Sequence, residues 1–95
     1  MSVLFIVVSK VTDQDKLDQY MAAVGPSIAG RQLEILSADT HSKVIEGTAP
    51  GTRTVVLKFP DEQAFRDWYD SPEYQAVVHL RLAGTEGFGV LCAGM

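Results

Sequence analysis

The chain is poor in the residues that most often announce a function. It has one cysteine, two histidines and no cluster of lysine and arginine. Cys92 has no second cysteine to pair with and no CxxC or Cys/His neighbour, so neither an internal disulfide nor a thiolate metal site is expected; within its apolar C-terminal run it reads as a small core hydrophobe. His41 and His79 have no Asp or Glu at ligand spacing, and no metal is expected. Twelve acidic against eight basic residues leave a net charge of -4, which disfavours nucleic acid and anionic membrane as partners. GxGxxG, P-loop and GxSxG motifs are missing, and no Ser/His/Asp spacing supports a triad, so nucleotide-dependent and covalent-serine chemistry are disfavoured. Long hydrophobic runs are missing too. Val3 to Val8 is too short to span a membrane, has no basic residue before it and no small-residue cleavage pattern after it, and a cytoplasmic setting follows as the default.

What is present is core material. Hydrophobic residues make up 46% of 95 positions, enough for one packed domain over residues 1–95. Val3 to Val8 is β-branched and aromatic and predicts a strand buried on both faces. Thr12 or Asp13 can cap a helix whose Leu17, Tyr20, Met21, Val24 and Ile28 share one face, with a break at Gly25-Pro26. Two strand-like pieces follow, Leu33 to Ala38 and Lys43 to Glu46, with a bend or bulge at Asp39 to Ser42 between them. The turn-forming stretch Gly47 to Thr52 then leads into Arg53 to Phe59 as a hairpin. Pro60 and Asp61 open a helix with Ala64, Phe65, Trp68 and Tyr69 on one side. Ser71-Pro72-Glu73 opens another, carrying Tyr74, Val77, Val78, Arg81 and Leu82, and Phe88 to Ala93 closes the chain as a strand.

The order β-α-β-β-α-β predicts an α+β, ferredoxin-like fold, a four-stranded antiparallel sheet with helices on one face. The first and third strands are central in that topology, and here both are apolar on both faces. A two-layer monomer leaves one of those faces in water. Sheet-to-sheet packing with a second copy covers it, so a homodimer is expected.

The segment Phe59 to Arg81 carries Phe59, Ala64, Trp68-Tyr69, Ser71-Pro72-Glu73-Tyr74-Gln75 and Arg81. With Glu46-Gly47, Arg53, Val11-Thr12-Asp13 and Tyr20, it resembles the domain-of-unknown-function 1330 family of the dimeric α/β-barrel superfamily. The chain departs from that family's pattern before the second strand, where Ile28-Ala29-Gly30-Arg31-Gln32 replaces a Tyr-Gly-Gly-like run. The resemblance implies a cofactor-independent dimer with a pocket between sheet and helices. It assigns no reaction, since related barrels include monooxygenases, isomerases and dehalogenases.

The candidate site residues divide by chemistry. Glu46 and Arg53 flank the Gly47 to Thr52 turn and should meet across the hairpin, either as proton acceptor and anion anchor or as a plain ion pair. His79 is a candidate proton carrier on the last helix, with an exposed structural role as the alternative. Trp68, Tyr69 and Tyr74 form either a ligand-stacking wall or core. Arg81, at the edge of their stripe, pairs with a substrate carboxylate or with Glu46. Two functions stay open: a cofactor-free protein that binds or transforms a small organic acid by proton transfer or cofactorless oxidation, and a non-catalytic dimeric module.

Overall fold

A computed structural model describes all of residues 1–95. The elements are β1 (Val3–Val11), α1 (Gln14–Ala23), α2 (Gly25–Ile28), β2 (Glu34–Asp39), β3 (Arg53–Phe59), α3 (Glu62–Tyr69), α4 (Pro72–Gly84) and β4 (Thr85–Ala93). The strands form one antiparallel sheet in the order β2-β3-β1-β4, so β1 and β3 are central. This is the ferredoxin-like arrangement, two layers only 15 Å thick. Helix starts are set by side chains: Asp13 accepts from Lys16 N, Asp61 from Ala64 N, and Ser71 from Tyr74 N. α1 stops at Ala23 and Gly25-Pro26 starts a short second helix, because proline suits a first turn and not an interior.

Three expectations are corrected. Lys43 to Glu46 is not a strand. The β2–β3 ladder ends at the Asp39/Thr54 pair, and beyond it side chains take over the backbone groups: Asp39 Oδ1 accepts from His41 N, Ser42 Oγ donates to Thr52 O, and Thr52 Oγ1 donates to Thr40 O. The expected bend is present at Thr40 and His41, but the bulge in β2 lies earlier, at Leu36, where the register shifts between Ile35 and Ser37. β4 begins at Thr85, three residues before Phe88, because Gly84 O accepts from Thr12 N and Asp13 N and delivers Thr85 directly opposite Val11.

Alternation sorts the sheet into two faces. Phe5, Val7, Ser9, Arg53, Leu57 and Phe59 are buried under the helices, against Leu17, Tyr20, Val24, Phe65, Trp68, Tyr74 and Val78. Leu4, Ile6, Val8, Val56, Phe88, Val90 and Cys92 occupy the other face, which no helix covers. Phe88 and Val90 are about half exposed there.

Candidate functional site

The inward row of β1 reads Val3, Phe5, Val7, Ser9, Val11, and its one polar member sets the site. Ser9 pairs with Arg53 of β3 on one side and Gly87 of β4 on the other. One helical face above them brings Tyr20 from α1 and Tyr74 and Arg81 from α4. The two phenol oxygens are 3.0 Å apart in a buried hydrogen bond, although 54 residues separate them in sequence.

Both arginines are buried, Arg53 at 9% exposure and Arg81 at 7%. The ion pairs of the molecule are elsewhere and exposed, Arg31–Glu73 and Arg66–Glu62, so neither buried guanidinium has a carboxylate. Burial lowers the pKa of Arg53; Tyr20 opposes this and the neighbouring Arg81 charge adds to it. The guanidinium stays protonated regardless. Tyr20 is pushed well above its ordinary value, first by burial and then by Tyr74, against the pull of Arg81 and Arg53. The Tyr20 phenol is therefore a neutral hydroxyl, not a phenolate.

Two side-chain atoms in this region are buried without any hydrogen-bond partner, Ser9 Oγ and Arg81 Nε. Both residues line the same cavity of about 170 Å³ between β1, β4 and the α3–α4 helices. Its apolar wall is Phe5, Val7, Tyr69 and Leu82; its polar end is Ser9, Arg81 and Thr85. The inward positions of β4 next to Ser9 and Val7 are Gly87 and Gly89, so that strand contributes no side chains to fill the space. At Gly87 (φ 155°) a Cβ would collide with the Val8 carbonyl, and at Gly89 it would lie 2.9 Å from the Phe5 ring. Buried polar atoms without partners cost about 1–3 kcal/mol each, and both of these belong to residues that line one cavity.

The structure brings the expected residues together only in part. Arg53 and Arg81 lie on the same side of the sheet, but they line different cavities, Arg53 beneath β2 and β3, Arg81 beneath β4. Tyr69 lines the Arg81 cavity. Tyr74 is buried between the arginines through its bond to Tyr20. Trp68 is core, stacked near Tyr74 with ring centroids 4.1 Å apart, its indole N–H donating to Ser27 Oγ at 3.4 Å. Glu46 does not meet Arg53; it lies exposed in the 43–50 loop, because the ladder that would have carried it ends at Asp39. His79 is exposed on α4. Sequence reasoning passed over Ser9, although a serine inside an otherwise apolar inward row was a readable signal.

A family model for a domain of unknown function, DUF1330, matches residues 2–95. The chain belongs to that family. Among solved structures, a protein of unknown function from Rhodopseudomonas palustris superposes with a TM-score of 0.82 at 12% identity, over 99% of this chain and 82% of that one. SnoaB, a cofactor-independent oxygenase from Streptomyces nogalater, gives 0.67 at 14% identity, over 99% and 93%. A dimeric ferredoxin-like protein of unknown function from Jannaschia gives 0.69 at 13% identity, over 99% and 100%. These likenesses establish the ferredoxin-like fold. No curated protein matches significantly. No helix is long and apolar enough to cross a membrane.

Proposed function

We propose that this protein is a cytoplasmic homodimer whose subunits each bind a small, partly apolar organic acid in the cavity beneath β4, with no cofactor. The observation that carries the reading is that Arg81 and Ser9, which line one cavity, each keep a buried donor without a partner, Nε and Oγ. An acid group there would hydrogen-bond to both, while Phe5, Val7, Tyr69 and Leu82 hold its apolar body. Arg53 adds positive potential from the adjacent strand position. Glu46 and His79 do not reach this cavity within one subunit, which leaves Tyr69 as the wall residue able to exchange a proton in a proton transfer or cofactorless oxidation. The oxygenase among the fold neighbours is compatible with such chemistry.

Dimerisation is supported by the uncovered apolar face and by neighbours described as dimeric. Packing that face against its symmetry mate would bury Ile6, Val8, Phe88 and Val90 at the centre. Sedimentation equilibrium should give a dimer at micromolar concentration, and Ile6→Glu, which places a charge on that face, should yield monomer. A wild-type monomer would overturn the dimer. For the ligand, a thermal-shift panel of small carboxylates should raise the melting temperature, and Arg81→Met should abolish the rise. The non-catalytic module rests on the apolar face alone and predicts no response to any acid.

A further inference from the structure

A second cavity lies on the other half of the molecule, beneath β2 and β3. The inward residues of β2, Ile35 and Ala38, are exposed, Ile35 at 58%, and so is Met21 opposite them on α1 at 57%. From that mouth a cavity of about 110 Å³ runs inward past Val24 and Ile28 to Trp68. Its lining is hydrophobic apart from Arg53. That residue is buried overall and its guanidinium has no carboxylate partner. Its one side-chain hydrogen bond is a 3.9 Å contact to Met21 Sδ. It also lines the adjoining open groove, where Asp39 is present but forms no ion pair with it and instead accepts from His41 N. Arg53 thus stands where a groove carrying Asp39 and Thr40 meets an apolar cavity. This cavity shares no lining residue with the one containing Arg81 and Ser9.

We propose that this is a second ligand site, which takes an aliphatic monocarboxylate with its head group on Arg53 and its hydrocarbon tail between α1 and β2. The lining offers one cation, and its one other polar group near that cation is the Tyr20 hydroxyl, which shares a hydrogen bond with Tyr74; a single acid group is selected over a dicarboxylate. The carboxylate supplies the counter-charge that the protein lacks, and the tail covers the apolar mouth. A cavity of about 150 Å³ admits benzene, so about 110 Å³ has room for roughly four or five carbons.

The test is calorimetric titration of the intact protein with acetate, butyrate, hexanoate and octanoate. Affinity should tighten about fourfold per methylene as far as hexanoate and then level off. Ala38→Phe, at an exposed strand position that tolerates a larger side chain, should remove the length dependence and leave acetate binding unchanged. Arg53→Met should abolish the length-dependent binding, and Arg81→Met should preserve it. Affinity independent of length overturns the proposal. So does a length dependence that Arg81→Met removes and Arg53→Met leaves intact, which would assign the tail to the cavity beneath β4. If no acid binds wild type, both sites fall; if short acids bind through Arg81 without any length dependence, only this one does. A lighter sedimenting species for Ala38→Phe, with flat affinities in wild type, would show a second copy covering the mouth and would also overturn it.

Discussion

The layer between sheet and helices has an aromatic end and a polar end, and they obey different rules. At the first, Phe5, Phe59, Phe65 and Trp68 interlock with ring centroids 5.0–6.4 Å apart, and the one polar atom, the Trp68 N–H, has a partner in Ser27. At the second, four residues further along β1, Ser9 sits among Arg53, Arg81, Tyr20 and Tyr74; two polar atoms have no partner and two cations have no anion. The aromatic end is what a domain of this size needs to fold. The polar end costs stability, and that cost is what the proposed acid site would account for.

Substitutions can break or sharpen this contrast. Trp68→Ala, at the aromatic end and 1% exposed, should lose about 3–5 kcal/mol in urea denaturation. A loss under about 1 kcal/mol would mean that the aromatic end is not the stabilising half. Tyr20 marks the boundary between the ends. Its folded-state pKa lies above the ordinary value of 10.0, so its contribution is fully present below pH 10 and is lost as pH rises beyond it. Tyr20→Phe should therefore reduce the alkaline slope of stability by an amount that grows with pH toward about 1.4 kcal/mol per pH unit, measured by melting between pH 9.5 and 11. An unchanged slope would place the alkaline transition on another group.

Ser71 ties the aromatic end to α4, donating to Trp68 O at 2.7 Å while it caps Tyr74 N. Ser71→Ala should cost about 0.5–2 kcal/mol and leave acid binding unaltered. Arg81→Met and Arg53→Met should give the smallest change in stability, zero or a gain, since replacing a buried charge by an apolar side chain of similar shape orphans no carboxylate here. A large loss of stability in either variant would make that arginine structural and erase the contrast between the two ends.

Much of this was written locally. Strand alternation, the caps at Asp13, Asp61 and Ser71, and the break at Gly25-Pro26 each depend on a few neighbouring residues, and they place β1, β3 and all the helices. The strands Val3 to Val8 and Val55 to Leu57, apolar at successive positions, likewise announce an open face through their residue pattern alone. Local rules failed where side chains competed with the ladder. The loop hydrogen bonds of Asp39, Ser42 and Thr52 carry Glu46 away from Arg53, and spacing along the chain cannot foresee them.

The sequence by itself determined the element order, the family pattern and which residues are chemically able to hold an acid. Only the tertiary structure decided which of them meet. Tyr20 finds Tyr74 across 54 residues, Ser9 comes between Arg53 and Gly87 through strand register, and the two arginines enter separate cavities on either side of β1. The reason is physical: caps and alternation are set over a few residues, whereas a cavity is a property of surfaces brought together by packing, and the partner of a buried charge can lie anywhere in the chain.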